Sequence, residues 1–405
     1  MRGVYLLIAR AFAMALSESS WETHRRKLVT KGGKVNQPII IGYAHDVKSG
    51  KAKQSIQDGA DVIIWSFLHL EIGQSDDNSG SNQQKGFIRT DLDLEEISAL
   101  RNKQEYKHVV HLAAFGGWNG PHPPPELNGD EWCEVFMDFN RDHGYLFDGV
   151  DWDYEGNDDL SASTSKFTLD TLDIMADFSV HAKQKYGMIV SMAPAESYLD
   201  ATAEDGSVDA AFSLLLDLPP RAWTSSKYAT EEDRELIQSV GFSHAGRQCY
   251  AYVLAKAGIE TFDWVSIQLY EAYSPFAHDI SRRHLDPVDA LMARVNRFVH
   301  GYTVDEIPAL STSEYEVRIP LDKLVIGVAN RWADGLKFCE VKPESLRSAY
   351  QSTVANFNYH KGFLGVMFWT IEEEGTDEHS RYTLQLTKAL ESTKYTSLEQ
   401  NDYIS

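Results

Sequence analysis

Short apolar runs rich in β-branched residues alternate along the chain with longer segments of helical period. Several of the apolar runs are hydrophobic throughout, as is typical of parallel strands that are covered on both faces. The segments between them predict helices, including 93–105, 127–143, 163–186, 283–300 and 343–358. Eight runs are candidate strands: "PIIIGYA" (38–44), "DVIIWSFL" (61–68), "HVVHLAAF" (108–115), "FDGVDWDY" (147–154), "MIVSMAP" (188–194), "FDWVSIQLY" (262–270), "KLVIGVA" (323–329) and "FLGVMFW" (363–369).

Eight successive strand–helix units predict an α/β fold, a (β/α)8 TIM barrel, formed by one domain over residues 37–390. A doubly wound open sheet is the alternative, but no GxGxxG sequence follows the first strand. Residues 1–36 are expected to be a leader or a disordered segment, and 391–405 a tail. Insertions are expected after strand two, as a mobile loop over 71–92, and after strand five, over about 196–245.

One predicted strand carries four carboxylates within ten residues, in "FDGVDWDYEG" (147–156). Side chains alternate faces along a strand, so Asp151, Asp153 and Glu155 are expected to point the same way. Asp148 falls on the opposite face, which indicates a structural, hydrogen-bonding role.

The strand is expected to end at the mouth of the barrel, where barrel enzymes keep their active sites. Negative neighbours are expected to raise the pKa of Glu155, the outermost of the three, and to keep it protonated as a general acid requires. Asp151 and Asp153 are expected to share a proton. Trp152 and Tyr154 should face the surrounding helices. A solvated acidic face and a metal site of hard oxygen ligands are the alternatives.

Bulk composition narrows the class of ligand. A formal net charge of -22 and a pI near 5.0 disfavour binding to nucleic acid or anionic membranes, so a neutral substrate is expected. The three cysteines form no CxxC pair, and no metal or other cofactor is predicted.

The N-terminal sequence "MRGVYLLIARAFAMALSESSW" resembles a leader with small residues near a cleavage site, although Arg10 interrupts its apolar run. It predicts a secreted or endomembrane protein, and a frayed or mis-started N-terminus is the alternative. No apolar run is long enough to predict a membrane span.

The acidic strand resembles the DxxDxDxE motif of family 18 glycoside hydrolases, the chitinases and their relatives, with all four acidic positions filled. Other strands add to the resemblance over about 37–390, and it is closest to the plant and fungal class III, hevamine-like type. The matching segments are "WSFL" (65–68), "AFGGW" (114–118, the SxGG segment), "MAP" (192–194), "QLY" (268–270, the Q-x-Y segment) and Trp369 in "GVMFW".

The resemblance implies a retaining hydrolysis of β-1,4-linked N-acetylglucosamine, in which the acetamido group of the sugar is the nucleophile. Glu155 would then be the acid and base, Asp153 would orient the acetamido group, and Asp151 would tune Asp153. Tyr270 would donate its hydroxyl to the acetamido oxygen. These four residues are the predicted catalytic set.

The same resemblance implies a set of substrate-binding residues, and for its tyrosine, phenylalanine, methionine and strand-eight tryptophan a role in the core is the alternative. Two positions depart from the family pattern: Ala114 replaces the SxGG serine, and Glu271 follows Tyr270 where Asn or Asp is usual. The predicted substrate-binding residues are Tyr43, Phe67, Gly117, Trp118, Met192, Gln268 and Trp369.

The predicted partners are chitin or N-acetylglucosamine oligomers, and we expect a monomer. Three rival functions fit the same carboxylates. They are an endo-β-N-acetylglucosaminidase that acts on N-glycan cores, a chitin-binding lectin that has lost hydrolysis, and a metal-dependent barrel hydrolase.

Overall fold

A computed structural model describes residues 38–74, 84–157, 162–165, 167–199, 249–270, 274–281, 284–305, 314–333, 338–357 and 362–391. The predicted leader lies outside these residues, as do nearly all of the predicted insertion over 196–245 and the predicted tail beyond residue 391.

Eight parallel strands pair in sequence and close into a barrel, because β1 pairs with both β2 and β8. Every predicted strand is present, so the predicted (β/α)8 barrel is confirmed. The strands are β1 (Ile39–Ala44), β2 (Val62–Gln74), β3 (Val110–Gly117), β4 (Gly149–Tyr154), β5 (Ile189–Met192), β6 (Trp264–Gln268), β7 (Leu324–Ala329) and β8 (Gly365–Trp369).

Nine α-helices of the described residues accompany these strands, and none of them is both long and apolar enough to cross a membrane. They are α1 (Lys51–Asp58), α2 (Leu94–Arg101), α3 (Gly129–Asp142), α4 (Leu169–Tyr186), α5 (Cys249–Ala257), α6 (Pro275–Ser281), α7 (Pro287–His300), α8 (Pro343–Asn356) and α9 (Tyr382–Glu391). Short 3₁₀ turns lie at Gln104–Tyr106, Ser163–Ser165, Glu196–Tyr198, Ile259–Thr261 and Ile371–Glu373.

Local sequence sets several helix ends. Asn128 and Glu131 form a capping box at the start of α3, and Thr168 caps α4 through its side chain. Asp286 caps α7, whose first residue is a proline. Gly187 ends α4 in the left-handed conformation.

Alternation along the strands divides the apolar residues into an inner and an outer layer. The inner layer fills the barrel and includes Ile39, Ile41 and Tyr43 of β1, Val62 and Ile64 of β2, and Val110, Leu112 and Ala114 of β3. The outer layer packs between the strands and the helices and, as predicted, contains Trp152 and Tyr154. Polar side chains on the inner face of a strand are therefore enclosed by the barrel.

The segment 71–92 is not the simple loop that its composition predicted. Strand β2 continues to Gln74, and a further strand, Gln84–Thr90, pairs with it antiparallel. Leu70 lies opposite Ile88, and both pack on the outer core, whereas Phe87 and Arg89 on either side of Ile88 are exposed. A second short hairpin, Tyr302–Asp305 with Glu314–Val317, was likewise not predicted.

Asp148 has the structural role that strand alternation predicted. Its carboxylate accepts two hydrogen bonds from the Arg101 guanidinium, at 2.6 and 2.5 Å, and one from the backbone N–H of His111 at 2.8 Å. The paired charges tie the end of α2 to β3 and to the start of the acidic strand β4.

We expect Arg101→Met to lower the free energy of unfolding by about 3–5 kcal/mol, because it leaves the buried Asp148 carboxylate without its counter-charge. Urea unfolding of the purified protein measures this loss. Arg141→Met is the matched control, because Arg141 and its partner Asp138 are 49% and 67% exposed. It should change stability by less than about 1 kcal/mol. Equal losses in the two variants would contradict the assignment.

Candidate active site

The three aligned carboxylates of β4 face the interior of the barrel, as strand alternation predicted. Asp151 lies deepest and is fully buried, Asp153 is 3% exposed, and Glu155, the first residue beyond the strand, is 8% exposed. Asp151 is in register with Ala114 on β3 and with Ser191 on β5. The three carboxylates thus lie in a row that runs from the apolar interior towards the carboxyl ends of the strands.

Two hydroxyl groups hold the Asp151 carboxylate, one on each oxygen. Ser191 donates to Oδ1 at 2.5 Å, and the Tyr43 hydroxyl donates to Oδ2. Burial raises the pKa of Asp151 to about 7, and the two hydroxyl donors oppose that rise. Burial, with Asp151 nearby, also raises the pKa of Tyr43, which therefore stays protonated and able to donate.

Gln268 at the end of β6 supports the next carboxylate. Its Nε2 donates to Asp153 Oδ1 at 2.8 Å and to the Ala193 carbonyl at 2.6 Å. Its Oε1 is buried without a hydrogen-bond partner within the described part of the chain. Tyr270, two residues further on, is 6% exposed beside the same site.

Glu155 has the raised pKa that the sequence predicted, but the main cause differs from the one predicted. Burial raises its pKa to about 7, and the amide of Gln268 opposes the rise. Desolvation disfavours the charged form of a carboxylic acid, so the acid form of Glu155 persists to near neutral pH. The charges of the neighbouring carboxylates are not the leading cause.

Three successive backbone carbonyls at 154–156 are held by two segments of the chain, the loop that follows β3 and the start of α5. They accept hydrogen bonds from the Tyr250 hydroxyl at 2.9 Å, from Nε2 of His122 at 3.0 Å and from the Asn119 N–H at 2.9 Å. The His122 ring also stacks on Phe167 at 4.8 Å. These contacts fix the backbone that carries Glu155.

The loop that follows β3 supports the acidic strand and also contacts helix α3. His122 binds the backbone of the acidic strand, and the Pro124 carbonyl accepts a hydrogen bond from Trp132 at 3.0 Å. Trp118 is half-buried at the start of this loop.

Aromatic side chains gather around Trp369, the last residue of β8. Their ring centroids lie 5.5 Å (Tyr43), 5.9 Å (Phe67) and 6.1 Å (His45) from that of Trp369, and the Phe67 and His45 rings stack with it. Gly117 allows this packing, because a Cβ atom there would lie 2.4 Å from the Phe67 ring. The result is a partly exposed apolar platform beside the carboxylates.

Trp332, which the sequence prediction missed, extends this aromatic group. Its Nε1 donates to the Trp369 carbonyl at 2.6 Å, and its ring lies edge-on to Tyr270 with centroids 6.0 Å apart. The sequence feature that could have indicated Trp332 as a site residue is its position, three residues beyond the end of β7 at Ala329. Barrel enzymes place binding residues in the loops that follow their strands.

Met192 is the predicted site residue that the structure places elsewhere. It is fully buried in the outer layer, between the barrel and the helices. Strand alternation is the reason, because Ser191 and Ala193 take the inner positions of this segment. The Glu271 departure lies outside the described residues.

The site joins a protonated carboxylic acid, two further carboxyl groups and an apolar aromatic platform. Such a combination suits acid–base chemistry on a neutral, partly apolar ligand. Among the described residues, no group of three or more His, Cys, Asp or Glu side chains is arranged to hold a metal ion.

Comparisons with known proteins place this geometry in context. The family profile described as "Glycosyl hydrolases family 18" matches residues 21–333. No curated protein sequence matches the chain.

Solved structures that resemble the chain include a family 18 chitinase from Pseudoalteromonas aurantia, with 13% identity and a TM-score of 0.49 over 87% of this chain and 100% of that one. A family 18 N-acetylglucosaminidase from Paenibacillus barengoltzii has 13% identity and a TM-score of 0.44, over 88% and 99%. A chitinase from Bacteroides thetaiotaomicron has 13% identity and a TM-score of 0.44, over 91% and 100%.

We expect Glu155→Gln to raise the thermal unfolding midpoint at pH 8 and to change it little at pH 4. The Glu155 carboxyl group loses its proton near pH 4.5 in the unfolded chain but only near pH 7 in the folded protein. Ionisation of Glu155 therefore lowers the free energy of unfolding as pH rises between these values. The neutral amide removes that loss.

Differential scanning calorimetry at the two pH values checks this expectation. Glu105→Gln, at an exposed position, is the matched control and should leave both midpoints unchanged. A Glu155→Gln effect of the same size at pH 4 and pH 8 would contradict the proposed origin of the pKa shift.

Proposed function

The chain belongs to glycosyl hydrolase family 18, and from this premise we propose that it hydrolyses β-1,4 linkages of N-acetylglucosamine in chitin or its oligomers. We propose further that the hydrolysis is retaining and substrate-assisted, with the acetamido oxygen of the sugar as the nucleophile.

One observation carries the proposal. A buried carboxylic acid, Glu155, lies at the end of a strand whose inner face also presents Asp153 and Asp151, beside the aromatic platform around Trp369. A glycosidase of this kind needs an acid for the leaving oxygen, a carboxylate for the developing positive charge and an apolar face for the sugar ring.

Glu155 acts first as an acid. Its proton passes to the glycosidic oxygen as the bond to the anomeric carbon breaks, and the acetamido oxygen closes on that carbon from the other face. The Glu155 carboxylate then takes a proton from the water that opens the oxazolinium ring, which returns the enzyme to its starting state.

Asp153 orients the acetamido group. Its carboxylate accepts the acetamido N–H and stabilises the positive charge that develops on the oxazolinium ring. The 2.8 Å hydrogen bond from Gln268 fixes the Asp153 carboxylate for this task. Tyr270, beside the same pocket, donates its hydroxyl to the acetamido oxygen.

The aromatic platform binds the apolar face of the sugar. Pyranose C–H groups pack well on aromatic faces, and Trp369 with the stacked Phe67 supplies such a surface at the mouth. Tyr43 is only 1% exposed and donates to Asp151, so its part is to support the carboxylates instead of lining the wall.

We expect Glu155→Gln to lower kcat on N-acetylglucosamine oligomers by about 10²–10⁴-fold, because the amide cannot donate the catalytic proton. Product analysis by mass spectrometry, for wild type and variant, measures both the rate and the bond that is cut. Chelator treatment should leave the wild-type rate unchanged. The stability measurements above show whether the variant is folded.

Three other outcomes would each overturn part of the proposal. Cleavage of a high-mannose glycoprotein without cleavage of chitin oligomers would indicate an endo-β-N-acetylglucosaminidase. Binding of oligomers without turnover by wild type would indicate a lectin. Unchanged turnover by Glu155→Gln would show that another group is the acid.

We expect kcat/KM on unactivated oligomers to fall as pH rises through about 7, because Glu155 acts in its acid form and burial raises its pKa to about 7. Initial rates from pH 4 to pH 9 give this profile. An aryl glycoside with a nitrophenolate leaving group needs no proton, so this fall should be much smaller on that substrate. An equally large fall in kcat/KM above pH 7 on both substrates would contradict the role of Glu155 as the acid.

A further inference from the structure

We infer that Ser191 is a positioning residue for Asp151, and that its hydroxyl on β5 replaces the one that is missing at Ala114 on β3. The expected effect of Ser191 on turnover rests on the proposed function. Its expected effect on stability rests only on the geometry of the barrel interior.

The strand register places the two positions symmetrically about the carboxylate. Asp151 is paired with Ala114 on one side and with Ser191 on the other. Neighbouring strands lie about 4.8 Å apart, so a hydroxyl on the Cβ atom of either residue can reach the Asp151 carboxylate. In this chain only the β5 side carries one, and it donates to Oδ1 at 2.5 Å.

The surroundings of Asp151 make this donor important. The residue is fully buried, and both Ala114 on β3 and Ala193 just beyond β5 are apolar inner residues. The titratable groups around it are the Tyr43 hydroxyl, bound to Oδ2, and Asp153 and Tyr270, which lie near that hydroxyl. No cation pairs with the Asp151 carboxylate in the described structure. Ser191 and Tyr43 are therefore the two donors, and each satisfies one oxygen.

Loss of the Ser191 hydroxyl leaves Oδ1 as a buried acceptor without a donor. The ionised form of Asp151 is then disfavoured more strongly, since a hydrogen bond to a carboxylate stabilises its charge. A proton retained on Asp151 alters the charge that lies under Asp153, the residue that stabilises the oxazolinium ion. Ser191 is too deep to contact the sugar, so it affects the reaction only through Asp151 and Asp153.

The test compares wild type with Ser191→Ala, Ser191→Thr, Ala114→Ser and the double variant Ala114→Ser/Ser191→Ala. We expect Ser191→Ala to lower kcat on chitin oligomers by about tenfold with little change in KM, the size of one charged hydrogen bond. Ser191→Thr keeps the hydroxyl and should retain most activity. The double variant should recover most of the lost kcat, because it supplies the hydroxyl from β3. Ala114→Ser alone reports any strain from the added oxygen.

Calorimetry supplies a readout that does not depend on turnover. Asp151 is protonated in the fold at pH 5 and ionised at pH 8, given its pKa of about 7. A further rise in that pKa therefore lowers stability more at pH 8 than at pH 5. We expect the unfolding midpoint of Ser191→Ala to fall by roughly 2 °C more at pH 8 than at pH 5, and the double variant to lose this difference.

Two results would overturn the inference. One is a Ser191→Ala penalty that is equal at the two pH values, which a cavity alone would produce. The other is a double variant no better than Ser191→Ala in pH-dependent stability, with Ala114→Ser itself stable. If wild type cleaves no N-acetylglucosamine oligomer, the proposed function fails, and calorimetry still decides the role of Ser191.

Discussion

A carboxylate inside an apolar barrel is tolerated only if its oxygens find hydrogen-bond donors, and this requirement shapes the site around Asp151. Tyr43 from β1 and Ser191 from β5 each supply one donor, so two separate strands converge on one side chain. Gln268 from β6 does the same for Asp153. The barrel must close in a single register for these contacts to form together, which couples the geometry of the site to the closure of the sheet.

The same strand is fixed on its outer side by a different kind of interaction. Asp148 is neutralised by Arg101 and points away from the interior, so the chain avoids a fourth carboxylate in the pocket. At the end of the strand, donors from the loop after β3 and from α5 hold the backbone around Glu155. The acid is thus positioned through its main chain while its carboxyl group remains without an ion pair in the described structure. That combination holds Glu155 in place and favours its acid form.

Burial, more than charge repulsion, sets the acidity of the site. For Asp151 and Glu155 alike, burial is the leading cause of a pKa near 7, and hydrogen bonds from neighbouring polar groups oppose it. Protonation is therefore controlled by how completely the barrel and its aromatic mouth exclude water. The chain belongs to glycosyl hydrolase family 18, and the chemistry proposed for it depends on this control of protonation.

The sequence by itself determined the fold and the acidic strand, because both depend on local periodicity. Alternating apolar runs specify strands, and the period of two puts Asp151, Asp153 and Glu155 on one face with Asp148 opposite. The tertiary structure decided what depends on neighbours that are distant in sequence. It placed Met192 outside the barrel, brought Ser191 to Asp151 and His122 to the backbone of Glu155, and paired the polar segment 84–90 with β2. Strand register and the depth of burial set these contacts, and both arise only when the whole barrel closes.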